Sequence, residues 1–211
     1  MRSSSAAVSP FYKNGYLVWS EDTNDAIVID PGDEVTDVIA QAAAKNVTVR
    51  AILLTHAHLD HITGVGRAKQ AFGVPVWLHA DDLFLYDGIL EQGRLFGLET
   101  EPQPPVDRFF EIPGQFTFGN CIVDVLHTPG HCPGGVCLAI GDKGTSRREL
   151  FVGDTLFAGS IGRTDLPGGS HRVLLESIRT VLFEFPDDTI VHPGHGPDTT
   201  IGVERRTNPF L

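Results

Sequence analysis

The apolar run Val49-Arg50-Ala51-Ile52-Leu53-Leu54 passes directly into Thr55-His56-Ala57-His58-Leu59-Asp60-His61. Three imidazoles and a carboxylate in six residues are a poor way to build a core, because each polar group must be satisfied individually if buried. Metal binding accounts for them better than a loop of surface histidines. A strand ending at Leu54 delivers the next loop to its carboxyl edge, where open α/β sheets keep their ligand sites. His56 and His58, two apart, converge on one point if the segment is extended. Asp60 and His61 fall on the next turn, entering an expected helix over Ile62–Phe72, and reach a second point nearby. The pattern suggests two metals side by side.

Three later stretches carry similar chemistry in Gly/Pro loops that follow β-rich runs. They are His127-Thr128-Pro129-Gly130-His131-Cys132-Pro133-Gly134, Phe151-Val152-Gly153-Asp154-Thr155, and His192-Pro193-Gly194-His195-Gly196. Together with His-x-His-x-Asp-His after a buried strand, this series resembles the metallo-β-lactamase superfamily, and it spans most of the chain. The resemblance implies that His56, His58 and His131 hold one ion, that Asp60, His61 and His195 hold a second, and that Asp154 bridges them. It implies a hydroxide between two divalent ions as nucleophile, its pKa lowered from the ~15.7 of bulk water, with Asp60 also placed to orient it. Zinc is the expected metal, although iron and manganese accept the same ligands.

The run Gly153-Asp154-Thr155-Leu156-Phe157, followed by Ser160-Ile161-Gly162-Arg163-Thr164-Asp165, is similar to the small single-domain bacterial glyoxalase II-like hydrolases. That similarity implies hydrolysis of S-2-hydroxyacylglutathione, or a related small-molecule thioester, to a hydroxy acid and a thiol. A thiolate leaving group suits zinc, for which sulfur is a good ligand. Arg163 is a candidate clamp for a substrate carboxylate; a plain surface ion pair is the alternative. Glutathione recognition itself does not carry over, because full-length glyoxalase II enzymes build much of that site from a carboxyl-terminal helical domain. The competing reading is a persulfide dioxygenase with one iron on His56, His131 and Asp154. A lactonase would use the same metals.

Acidic residues outnumber basic ones 27 to 16, for a net charge of −11, and they are scattered. Such a surface repels phosphate backbones and argues against nucleic-acid partners. No run approaches the ~20 apolar residues of a membrane span, and the amino terminus lacks the apolar stretch of a signal peptide. A cytoplasmic, membrane-independent protein is expected, which argues against β-lactam hydrolysis. The three cysteines, Cys121, Cys132 and Cys137, lack a metal-binding spacing and fit a reducing compartment. Cys132 is expected to be a small buried hydrophobe despite its place beside His131.

Tyr16–Trp19 and Ala26–Asp30 predict an opening hairpin, followed by a helix to about Lys45 capped by Asp33 or Thr36. Val74–His79 predicts a strand and Asp81–Phe96 a helix, with His79 and Asp82 structural. Three prolines between Glu99 and Asp107 exclude regular structure there. Strands are predicted around 116–118, 121–127, 136–140, 149–152 and 189–191, and a helix over 170–183. His127, His171 and His192 are expected to be structural or supporting residues, His192 in a loop. Strands in two groups with helices after each predict an α/β (α+β) fold, a four-layer αββα sandwich of two mixed sheets flanked by helices. The metal ligands lie on both sides of the Pro-rich loop, so a single domain over 1–211 is expected.

Overall fold

The computed structural model describes residues 1–211. Two mixed sheets of six strands face one another, with helices outside both. The first sheet runs in chain order: β1 (Arg2–Ala6), β2 (Gly15–Trp19), β3 (Asp25–Ile29), β4 (Thr48–Leu53), β5 (Val76–Leu78) and β6 (Arg108–Phe109). The expected hairpin is β2 against β3, with Tyr16 opposite Ile29; β3 to β6 are parallel. Strand β1 was not legible in the sequence. Its Arg-Ser-Ser-Ser-Ala has no apolar alternation, and it is an edge strand held by pairing with β2.

β4 shows why the histidine loop is fixed. Val49 and Ile52, with Leu54 just beyond, pack towards the helices α1 (Val35–Lys45) and α3 (Val65–Phe72). Ala51 and Leu53 face the other sheet. Each fully buried aliphatic side chain here stabilises the fold by about 1.5–3 kcal/mol. Both faces of the strand are therefore engaged, which fixes where the loop that follows it begins.

The second sheet has the order β14, β13, β10, β9, β8, β7. Its strands are β7 (Gly114–Phe118), β8 (Cys121–His127), β9 (Val136–Asp142), β10 (Glu149–Gly153), β13 (Ile190–Pro193) and β14 (Thr199–Thr200). A small hairpin, β11 (Leu156–Phe157) with β12 (Ser160–Ile161), follows β10. The helices α6 (His171–Thr180) and α7 (Ile201–Thr207) follow in chain order. Leu174 and Ile178 of α6 and Ile201 of α7 cover the outer face of this sheet.

Several predicted helices are interrupted. Residues 59–72 form α2 (Leu59–Ile62) and α3, with Gly64 between them. A Cβ at Gly64 would stand 2.2 Å from the Gly32 carbonyl oxygen, so only glycine allows the chain to pass there. Residues 80–96 form a 3-10 turn, α4 (Leu83–Asp87) and α5 (Ile89–Phe96), broken at Gly88. The α1 cap also differs from expectation. Glu34 occupies it without a side-chain cap, and Asp33 instead accepts from the Thr63 hydroxyl at 2.8 Å. Glu34 is committed to Lys13, whose ammonium is buried at 2.7 Å from it. A lone lysine or glutamate would be costly there, so the two are retained as a pair.

His192 is not in a loop. It lies in β13, buried, with its ring stacked on Phe151 at 4.6 Å and edge-on to Tyr16. Glu149 and Asp198 each stand 3.0 Å from one ring nitrogen. Burial opposes the charged ring, but its hydrogen bonds to the two carboxylates prevail and raise its pKa to about 9. The pKa is raised on folding, so this stabilisation is complete below the unfolded value of ~6.5 and is lost as pH rises through about 9. With Asp198 more than half exposed, solvent screening reduces the effect to about 1–2 kcal/mol. The melting-temperature gap between wild type and His192→Gln should therefore shrink between pH 6.5 and 10, and a gap constant across that range would refute the pairing.

Candidate metal centre

β4, β8, β10 and β13 all end at one edge of the sandwich, and the loops leaving them carry the seven residues singled out in the sequence. His56 and His58 follow β4, His58 in extended backbone, while Asp60 and His61 ride on α2. His131 comes from the β8–β9 loop; Asp154 and His195 lie just past β10 and β13.

The side chains gather in two groups. In the first, ligand atoms of His56, His58 and His131 lie within 4.8 Å of one another; His58 Nδ1 and His131 Nε2 are 2.8 Å apart. In the second, Asp60, His61 and His195 do the same, with His195 Nε2 at 3.1 Å from Asp60 Oδ2. Asp154 stands between the groups. Its Oδ1 is 3.3 Å from His61 Nε2, and its Oδ2 is 3.6 Å from His195 Nε2 and 3.8 Å from His131 Nε2. Gly194 makes room for it, because a Cβ there would fall 2.2 Å from Asp154 Oδ1.

Outer partners aim the rings. Thr55 Oγ1 meets His56 Nδ1 at 3.1 Å, Asp30 Oδ2 meets His61 Nδ1 at 3.0 Å, and the Arg163 carbonyl meets His131 Nδ1 at 2.7 Å. The Nε2 atoms are thereby left for the interior, the arrangement that supports metal-ligating histidines. Buried polar atoms are nearly always paired, yet five side-chain atoms are not, and four belong here: His56 Nε2, His58 Nε2, His61 Nε2 and Asp154 Oδ1. Such a concentration of orphaned donors and acceptors fits divalent cations.

The electrostatics agree. Burial, aided by neighbouring imidazoles, holds His56 far below its ordinary pKa and lowers His58 to about 3. Both are then neutral and offer the lone pair that a metal requires. At the other group burial is outweighed by Asp60, Asp154 and Asp30, which raise His61 to about 10. Three carboxylates around one imidazole leave an excess of negative charge that a cation would neutralise.

Two carboxylates outside the groups hold the loops: Asp82, expected to be structural, and Asp30, which the sequence reading passed over. Asp30, at the end of β3, accepts from the Thr55 N–H at 2.7 Å and from its hydroxyl at 2.6 Å besides holding His61. Asp82, fully buried, accepts from the Ala57 N–H at 3.1 Å, the Gly134 N–H at 2.6 Å and the Cys132 thiol at 3.1 Å. It joins the His56–His58 segment to the His131 loop. His79, by contrast, stacks on His127 away from these contacts. Gln92 adds a further tie, from its carboxamide to Leu59 N and Ala57 O. An Asp directly after a buried strand is the one signal that could have pointed to Asp30.

Arg163 lies on the rim of the cavity over this site. Its guanidinium makes two 2.7 Å bonds to the Asp165 carboxylate, the ion pair that was the alternative to a substrate clamp. Cys132 is buried, and burial with the adjacent Asp82 pushes its thiol well above the ordinary range. It is no nucleophile at neutral pH.

An αββα sandwich with this edge defines a class, the metallo-β-lactamase fold. Residues 8–195 match the sequence profile of the metallo-β-lactamase superfamily, and the chain belongs to that family. It is 41% identical over 206 residues to the hydroxyacylglutathione hydrolase GloC of Haemophilus influenzae, covering 97% of this chain and 95% of that one. Among solved structures, the B3 metallo-β-lactamase BLEG-1 superposes with a TM-score of 0.89 at 37% identity, over 100% of this chain and 99% of that one. TTHA1623, solved in a di-iron-bound form, gives 0.86 at 43% identity, over 98% and 99%. The fold binds divalent metals, and the di-iron neighbour shows that their identity varies among such proteins. No helix is long and apolar enough to cross a membrane.

Proposed function

We propose that this metal-dependent hydrolase is a thioesterase of glyoxalase II type. In this reading it acts on S-2-hydroxyacylglutathione or a related small-molecule thioester and releases a hydroxy acid and a thiol. Two ions, with zinc the first choice, would be held by His56, His58 and His131 and by Asp60, His61 and His195, with Asp154 shared. The observation that carries the reading is Asp154 standing between the two groups, with its Oδ1 and the buried Nε2 atoms of His56, His58 and His61 left without a hydrogen-bond partner.

Bound there, divalent ions supply Lewis-acid polarisation of a carbonyl and bring the pKa of water towards neutrality. The chain's own residues do the rest. Asp60, whose carboxyl stays ionised against burial because His61 and His195 face it, orients the attacking water by accepting its hydrogen bond. Asp30, Thr55 and the Arg163 carbonyl hold the imidazoles in place, so little reorganisation accompanies reaction. Phe11, Leu59, Phe96 and Leu166 line the same cavity and limit water around the reacting carbon. The three buried thiols take no part. The GloC similarity supports the thioester class.

The test is metal content per chain, on protein purified without added metal, read beside turnover of S-D-lactoylglutathione under nitrogen. Close to two ions with thioester cleavage is the expected result. One iron, no cleavage, and oxygen uptake with glutathione persulfide would overturn it in favour of a dioxygenase.

A further inference from the structure

The lining of the cavity over the site is chemically mixed. It carries imidazoles and carboxylates and, beside them, the apolar side chains of Phe11, Leu59, Phe96 and Leu166, around a space of about 150 Å3. Phe11 and Phe96 meet edge to face, ring centroids 6.2 Å apart and planes at 89°, which braces both rings in a preferred aromatic arrangement. Phe96 closes α5 and still leaves 43% of its surface to solvent. A partly exposed apolar wall beside polar reactive groups is the usual composition of a ligand pocket.

The polar part of the lining offers little to an anionic arm. Arg163 is the only lysine or arginine lining the cavity, and Asp165 already occupies its guanidinium with two hydrogen bonds. A substrate carboxylate would have to share Arg163 with Asp165, which already holds its Nε and Nη2, against a chain carrying a net charge of −11. Glutathione, with carboxylates at both ends, meets one cation in this lining, and that one is already paired with Asp165.

Resting on the thioester reading above, we propose that the site selects thioesters whose acyl or thiol arm is apolar over glutathione conjugates. Phe11 and Phe96 are the specificity-determining residues, and the Arg163–Asp165 pair discriminates against anionic arms.

The experiment uses two straight-chain thioester series with metal-loaded protein, one lengthening the acyl arm on a small fixed thiol, the other lengthening the thiol arm on a fixed acetyl group. S-D-lactoylglutathione is measured beside them. Each methylene received by the wall should raise kcat/KM about three- to fourfold, and the series that rises identifies the arm. Phe96→Ala and Phe11→Ala should flatten that slope. Asp165→Asn, which frees Arg163, should raise kcat/KM for S-D-lactoylglutathione up to about fivefold without changing the slope. A flat response in both series overturns the proposal, as does S-D-lactoylglutathione outrunning every apolar thioester. Affinities of non-hydrolysable S-alkyl thioethers, read by calorimetry, separate this from the reaction class. If no thioester is cleaved, the thioester reading fails, while thioether affinity that rises with chain length still supports the apolar wall and a flat one removes it.

Discussion

Asp154→Ala is expected to yield a folded chain that retains little metal and has no measurable hydrolysis. The carboxylate lies within 3.8 Å of nitrogen atoms from His61, His131 and His195, so it reaches ligand atoms of both sets. Residues that only support a ligand typically account for about 10–100-fold in affinity or activity, and loss of the shared ligand should exceed that. Burial disfavours its charge, yet the facing His61 imidazole keeps the carboxyl ionised well below the usual range. Removing it therefore deletes the charge that would hold two cations close together as well as a contact. Metal analysis and turnover on the same preparation decide the matter, with circular dichroism as the check on folding. A variant with both ions bound and wild-type activity would show that Asp154 is no bridge.

A second large effect is expected away from the cavity. Asp82→Ala removes the acceptor for two backbone N–H groups, at Ala57 and Gly134, in a position with no access to solvent. Each donor left buried and unpaired costs about 1–3 kcal/mol, so a fall in melting temperature of roughly 10 °C follows for a chain of this length. Metal affinity should fall as well, about 10–100-fold, since the two loops that Asp82 joins bring His56, His58 and His131 together. Cys132→Ala is the comparison. It removes only the thiol donor to the same carboxylate and should cost far less of both. Equal losses in the two variants would place the effect in packing rather than in the hydrogen bonds.

The loops that carry the seven candidate ligands were legible because each follows an apolar strand and sets residue types rare in cores close together, three of the four beside Gly or Pro. The metallo-β-lactamase layering followed from the two groups of strands for the same reason. What stayed hidden depends on partners distant in sequence. Asp30 reaches residues 25 and 31 positions away, and Asp82 reaches residues 25 to 52 away; no local pattern marks such bonds. Helix ends were misplaced where a glycine was needed for close passage, as at Gly64, or where the expected cap Asp33 was taken by the Thr63 hydroxyl and Glu34 stood at the cap position instead. His192 was assigned to a loop because Pro193 and Gly194 follow it, whereas the carboxylates on both its ring nitrogens hold it inside a strand.

The thiol of Cys132 gives the loop that carries His131 a built-in timer. It has no exposure and a pKa pushed far upward, so an alkylating reagent can reach it as a thiolate only when the segment between β8 and β9 swings out. The labelling rate of this one atom then reports how often His131 leaves its neighbours. An ion bound to His131 would hold the loop shut, so the ratio of labelling rates without and with metal would give the free energy that the ion contributes to closing the edge of the sandwich.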